Sequence, residues 1–522
     1  MTFDYARTNY YFTDDNVITY ARIAEYLNIT GSENVNNFYT IFGMYKGTSP
    51  YHYFEIWLCS GITHFFNILA YEAYFKILVP IFLTIISIGL IALFVSYFNT
   101  YYFNLLIPLL LFCRDIYFNF LPARAEIDTF HLISPTLTFS VLPTYLVFVF
   151  FILLFKKNMS ISLLILSSLI LMTIQTSIAI SVAILLILFY SYFRKKRLKK
   201  HEFYSILICL FLIPLFGGLF YSITGIHEKN SYNVITISYF IQNIKIPLHI
   251  FIKTLLEIIL LYWPYAIIAG YFLFRRKKIA DLNFSIKTAG VILFTALFAW
   301  SIMFQISNAV ELFTIPAISF VNILIIYLLI TLLFEFRNHF KKLIILILFI
   351  SIIIGRSILE FSEVEEYFNS PKYSTRYINS ISSIIANNAT INPYIIYLKG
   401  ESDYYSYSYI DELELGNYLY LIKSNFVPIS LSIFYTPVFT NPMDRERTNI
   451  LVEQSVFYKF VSAQKKSGKF KTIQQSQVDF IKTYHINYGI ISKNASLSED
   501  MEKIITQTIS DDISGEKFLL FK

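Results

Sequence analysis

The sequence predicts an α-helical polytopic membrane protein that closes with an extracytoplasmic α/β domain. Three observations carry that prediction. The 522 residues are 56% hydrophobic and only 15% charged, with a mean hydropathy of +0.56, a balance that soluble domains rarely carry. Apolar runs of about 20 residues, enough to cross a hydrocarbon core roughly 30 Å thick, recur between residues 77 and 356. From Ser357 onward no such run returns, and short apolar stretches alternate with polar ones.

About ten spans are expected on length and hydropathy. They fall near 77–98, 102–118, 136–155, 160–176, 177–193, 203–222, 251–274, 285–304, 312–334 and 343–356. The fourth and fifth share a turn of Gln175, Thr176 and Ser177. The net charge of +7 is gathered in short clusters: Lys156-Lys157, Arg194 to Lys200, Arg275 to Lys278, and Arg337 with Lys341-Lys342. These occupy alternate loops, so the positive-inside rule makes those loops cytoplasmic. The charge therefore reads as topology in a lipid bilayer, with no nucleic-acid partner; the 194–200 run also suits an anionic lipid headgroup.

Both ends of the chain then lie outside. Residues 1–76 form a first extracytoplasmic loop with an acidic pair and amphipathic helices. Their acids (Asp4, Asp14, Asp15, Glu25, Glu33, Glu55, Glu72) outnumber their bases (Arg7, Arg22, Lys46, Lys76). An external segment of this kind normally follows a signal peptide or a helix, and Met1-Thr2-Phe3-Asp4 is neither. The expectation is that a first span precedes it in the intact protein, for about eleven in all.

Residues 77–356 form the helical membrane domain and 357–522 the terminal α/β domain. In the latter, Tyr394–Leu398, Tyr418–Ile422, Tyr488–Ser492 and Phe518–Phe521 read as strands, and Val478–Tyr484 as a helix. The three cysteines, Cys59, Cys113 and Cys209, have no metal-ligand spacing. No internal repeat and no glycine-rich phosphate loop is present; Gly31, Gly43 and Gly47 are too scattered for a nucleotide fingerprint.

The chemistry-bearing residues gather in the first loop. Asp14 and Asp15 stand just ahead of an apolar pattern, Val17, Ile18, Ala21, Ala24 and Leu27, that suits an amphipathic helix. An aspartate there caps the helix and complements its dipole. The same position serves a general base, because adjacent carboxylates raise each other's proton affinity and one can deprotonate an acceptor hydroxyl or amine. His52 and Glu55, spaced i, i+3, share one face of a helix at the membrane edge, inside an aromatic belt of Tyr51, Tyr53, Phe54 and Trp57. Tyr51, His52 and Glu55 are candidates for binding phosphate or orienting a sugar. No cofactor is fixed by the sequence. A divalent metal is the candidate, and it would need Asp14 or Asp15 to complete the ligand set. Arg114, Arg124 and Arg356, near external span ends, are candidate forks for a phosphate; ordinary flanking charge is the alternative. Glu257 and Glu311 lie one turn or less inside their spans, close enough to an end to snorkel.

With the acidic pair, the Tyr20-Ala21-Arg22-Ile23-Ala24 helix, the Gly47–Tyr51 segment before a span, about ten spans and the terminal α/β domain, the chain resembles GT-C-type membrane glycosyltransferases. More narrowly, it resembles the superfamily of dolichyl-phosphate-mannose–protein mannosyltransferases and aminoarabinose transferases. The resemblance covers the whole layout. It implies that the first-loop acid, Asp14 or Asp15, is the catalytic base. It also implies a polyprenyl-phosphate sugar donor and an envelope glycan, lipid or protein acceptor on the outer side of a bacterial inner membrane. The second acid here is Asp where many relatives carry Glu. The Pro50–Glu55 run stands where a Lys-Pro-Pro segment is more common.

Two other classes compete. An oligosaccharide polymerase or ligase of similar topology would carry its large loop between later spans. A transporter or flippase would show repeated halves and mid-membrane charges in broken helices, and the sequence has neither.

Overall fold

The computed structural model of the protein describes residues 9–10, 21, 23–24, 27–28, 31, 33, 53–68, 70–98, 106–112, 141–155, 158–168, 181–183, 185–186, 200–223, 244–274, 280–302, 311–368, 373–387, 394–398, 427–430, 456–491, 493 and 497–522.

The described part begins with a short strand, β1 (Asn9–Tyr10), and then helices α1 (Tyr53–Phe66) and α2 (Ala70–Glu72). A π-helical turn, Ala73–Leu78, joins α2 without a break to α3 (Val79–Phe98). There follow α4 (Leu106–Phe112), α5 (Val141–Phe155), α6 (Met159–Ser167), α7 (Lys200–Ile223), α8 (Lys245–Phe274), α9 (Ala280–Ile302), α10 (Glu311–Phe336) and α11 (Phe340–Phe368). The described residues within the predicted spans are almost all helical; of 102–118 they are 106–112, of 160–176 they are 160–168, and of 177–193 they are 181–183 and 185–186. Lys76–Val95 and Ser319–Phe336 are each long and apolar enough to cross a membrane unaided. Leu142–Leu154, Phe203–Phe216 and Ile286–Ile302 are shorter apolar helices. Helix α11, which contains the last predicted span, continues beyond it to Phe368.

Helix α3 packs on α5, α5 on α10, α10 on α9 and α9 on α8, while α6 turns back on α5 and meets α7. Large apolar side chains stay exposed on the outside of the bundle, among them Phe211, Leu256, Ile267, Phe298, Ile345 and Ile352. Exposed apolar side chains in such number are what helices facing hydrocarbon carry. At the α3–α5 seam, a Cβ on Gly89 would lie 2.6 Å from Val149 Cγ1, so the missing side chain sets how closely the two backbones approach.

The two ends of the bundle are distinct. The Tyr271 hydroxyl lies 3.4 Å from Glu335 Oε2, which brings the C-terminal ends of α8 and α10 together. Arg337, Lys341 and Lys342 lie just beyond that end of α10, at its connection to α11 and in the first turn of α11. Arg337 lies over the Phe334 ring at 4.1 Å. Helix α3 runs parallel to α10: Phe148, one residue from the valine against Gly89, meets Phe320 at 4.8 Å, and Phe94 meets Tyr327 at 5.3 Å. The starts of α3 and α10 are thus at the opposite end, together with the end of α11.

From there the chain enters β2 (Tyr373–Ser374), α12 (Thr375–Asn387), β3 (Tyr394–Leu398), β4 (Val427–Ser430), α13 (Val456–Lys466), α14 (Ile473–Thr483), β5 (Tyr488–Ile491), α15 (Glu499–Glu502), β6 (Ile505–Ser510) and β7 (Lys517–Phe521). The sheet order is β4-β3-β5-β7-β6, with β3 parallel to β4 and β5, and β7 antiparallel to β5 and β6. The strands predicted near 394, 488 and 518 are β3, β5 and β7. The one predicted at 418–422 lies outside the described residues.

Both faces of the sheet are covered at β3, β5 and β7, which is why these strands read as apolar runs, whereas the edge strand β6 is mixed and largely exposed. Ile395, Tyr488, Ile490 and Phe518 share a core with Tyr377, Ile378 and Ile381 of α12, and that core is continuous with the helical bundle. Ile396, Ile491, Leu519 and Phe521 face the other way, onto Phe457 and Val461 of α13 and Val478, Phe480 and Ile481 of α14. Gly489 is small for a reason: a Cβ there would sit 2.7 Å from Phe521 Cζ.

Candidate functional site

The described residues of the first loop pack near the start of α3. Ala21, Ile23 and Ala24, from the helix predicted to follow the acidic pair, are fully buried in the core that also holds Ile56 and Cys59 of α1 and Tyr74, Leu78 and Phe82 at the start of the first long helix. Gly31 closes that helix. It adopts φ +72°, open to glycine at little cost, and its N–H reaches the Leu27 carbonyl at 2.8 Å, the αL form of helix termination.

Helix α1 is two-sided. Glu55, Ile56, Cys59, Ser60 and Thr63 are buried, and Trp57, His64, Phe65 and Phe66 are exposed. It ends at Asn67, which takes φ 50°, a conformation asparagine tolerates better than most residues. Three contacts fix α1 in place. The Ser60 hydroxyl donates to Asn28 Oδ1 at 2.5 Å, the Trp57 indole N–H donates to Glu33 Oε2 at 2.7 Å, and the Cys59 thiol points at the Ala70 carbonyl at 3.9 Å. Phe54 packs on Phe82 with ring centroids 6.4 Å apart. Beyond α1, Lys76 pairs with Glu72 at 2.6 Å across the π-helical turn, a backbone form that recurs at functional sites.

Of the residues singled out in the sequence, Glu55 is described in full. It is 0% exposed, in the first turn of α1, where a carboxylate complements the helix dipole. Arg356 lies in α11, and its side chain is outside the described residues, as are Asp14, Asp15, Tyr51, His52, Arg114 and Arg124. Glu33 was not singled out, yet it is as buried as the core around it. The signal was Trp57: an indole at a membrane edge takes a hydrogen-bond partner, and an acid in the preceding loop supplies one. Among the described residues no group of three or more His, Cys, Asp or Glu could hold a metal ion.

No family model matches the chain, and no curated protein matches it. In structure the chain is similar to ArnT from Cupriavidus metallidurans, seen in a crystal structure bound to undecaprenyl phosphate. The TM-score is 0.47 and the identity 10%, over 98% of this chain and 94% of that one.

Proposed function

We propose that the protein is a membrane glycosyltransferase of the GT-C type, moving a sugar from a polyprenyl-phosphate donor to an extracytoplasmic envelope glycan, lipid or protein acceptor. What supports this reading is the acidic pair Asp14-Asp15 in the sequence, shortly ahead of Ala21, Ile23 and Ala24, which are buried in the core. A carboxylate at the outer rim is where transfer chemistry needs a base, and midplane is where transport would need its charge.

In the reaction, Asp14 or Asp15 takes the proton from the acceptor's hydroxyl or amine. The freed oxygen or nitrogen attacks the anomeric carbon as the bond from that carbon to the phosphate oxygen breaks. Polyprenyl phosphate leaves and the anomeric configuration inverts. Arg114, Arg124 and Arg356 are the cations proposed to steady the departing phosphate by bidentate hydrogen bonds, and Tyr51, His52 and Glu55 are proposed to line the sugar side. A divalent metal, if the reaction uses one, is proposed to be held by His52 with the acidic pair. Ten membrane spans, with residues 1–76 and 357–522 outside, complete the proposed topology. The test is to offer purified protein a panel of polyprenyl-phosphate sugars with envelope-lipid acceptors and to measure released polyprenyl phosphate. Acceptor-dependent release supports the reading, and no release with any donor overturns it.

A further inference from the structure

The sheet domain is tied to the N-terminal segment by one carboxylate. Asp511 sits at the tip of the β6–β7 hairpin, only 2% exposed. Its two oxygens do different things. Oδ2 accepts the Ser514 N–H at 3.0 Å and the Ser514 hydroxyl at 2.8 Å, which organises its own turn. Oδ1 reaches a residue 137 positions away: it accepts the Ser374 hydroxyl at 2.7 Å and the Ser374 N–H at 3.2 Å. Ser374 in turn accepts the Tyr377 N–H at 3.2 Å and so caps α12. As part of β2, Ser374 is also the antiparallel partner of Asn9, and the neighbouring Tyr373, fully buried, is the partner of Tyr10.

A two-stranded ribbon this short has little stability of its own. The β1–β2 pairing therefore depends on what holds β2: Tyr373 is buried against Tyr377, and Ser374 is bonded to Asp511. From Tyr10 the chain has four residues to reach Asp14, at most about 14 Å when fully extended. Beyond the acidic pair, Ala21 is buried in the core.

We infer that Asp511 is a positioning residue: through Ser374 and the β1–β2 ribbon, the sheet domain fixes the segment that carries the acidic pair. This gives the terminal domain a role distinct from binding an acceptor. The catalytic part of the inference rests on the function proposed above, and the structural part does not.

The test uses the full chain, with Asp511→Ala and Ser374→Ala each compared with the unaltered protein. Two readouts separate the parts. Hydrogen exchange of N-terminal peptides covering residues 5–20 reports the tether whether or not any donor turns over; it should quicken in both variants. Donor turnover should fall in kcat by roughly ten- to a hundredfold, the size of effect that misplacing a catalytic group produces, with KM for the donor unchanged. Adding Asn9→Cys and Ser374→Cys to Asp511→Ala should restore kcat on oxidation, because a disulfide across that strand pair replaces the lost tie, and reduction should remove the gain. Unchanged exchange at 5–20 in Asp511→Ala overturns the tether. Quickened exchange with unchanged kcat overturns the positioning role. Quickened exchange in a protein that turns over no donor leaves the tether standing and overturns the function proposed above instead.

Discussion

Trp57 donates its indole N–H to the carboxylate of Glu33 at 2.7 Å, and the two residues divide the environment between them: Glu33 is buried and the Trp57 side chain is 60% exposed. A buried carboxylate is thereby bonded by a ring that is itself largely exposed, with its N–H turned inward to a partner. Replacing Trp57 with Phe keeps the ring but removes the donor. The expected loss of stability is about 1.5–3 kcal/mol, the usual size for a hydrogen bond to a charged group. Thermal unfolding in detergent measures it, and Trp57→Phe combined with Glu33→Gln should lose less than the sum of the two single changes.

At the α3–α5 seam, Gly89→Ala should destabilise the bundle by about 1–3 kcal/mol, the usual cost of overpacking. The new methyl would meet Val149 Cγ1, 2.6 Å from where it must go, and a β-branched side chain has few rotamers to escape into. Adding Val149→Ala should recover most of that loss. A double change no more stable than Gly89→Ala alone would mean that the contact does not set the seam.

In the sheet domain, Gly489→Ala should act in the same way on Phe521, whose ring fills the missing side chain's place. Phe521→Leu should relieve it in part. The measurement is the unfolding midpoint of the full chain in denaturant.

Stability should also depend on pH through Asp511. Burial pushes this carboxyl up, but the hydrogen bonds from the Ser374 hydroxyl, the Ser514 N–H and hydroxyl, and the Ser374 N–H outweigh it and hold the group below the ordinary aspartate value. A native pKa lower than the unfolded one adds stability that is complete above the unfolded value of about 3.9 and is lost as pH falls through the native value. Unfolding midpoints of the unaltered protein and of Asp511→Asn should therefore differ most near neutral pH and converge below about pH 4. A constant difference across that range would contradict the assignment.

The long apolar helices and the strands β3, β5 and β7 were the legible part of the sequence, because burial or an apolar surrounding leaves one composition. Val141–Phe155 and Tyr488–Ile491 are of this kind. By contrast β4, β6, α12 and α13, which mix polar and apolar residues, were not read. What else the sequence did not reveal depends on pairs far apart. Glu33 is unremarkable until Trp57 is folded against it, and Asp511 looks like a turn residue until Ser374 arrives beneath it. Glu55 was legible as an acid on a helix face at the membrane edge; its complete burial follows from how α1 packs on the helix containing Ala21, which no spacing rule contains. Helix α11 crosses from apolar into charged sequence at Arg356 without breaking, so helical hydrogen bonding continues where hydropathy stops and the helix end was not legible from hydropathy.

The central claim is that an aspartate of the first loop is the base of a sugar transfer from a lipid phosphate. The most direct measurement is release of polyprenyl phosphate by the unaltered protein, by Asp14→Asn and by Asp15→Asn, each checked for folding by its unfolding midpoint. One of the two variants should lose release by roughly a hundredfold or more, the contribution of a positioned general base, while its midpoint stays unchanged. Release that survives both substitutions in folded protein would contradict the account and leave the acidic pair as a helix cap.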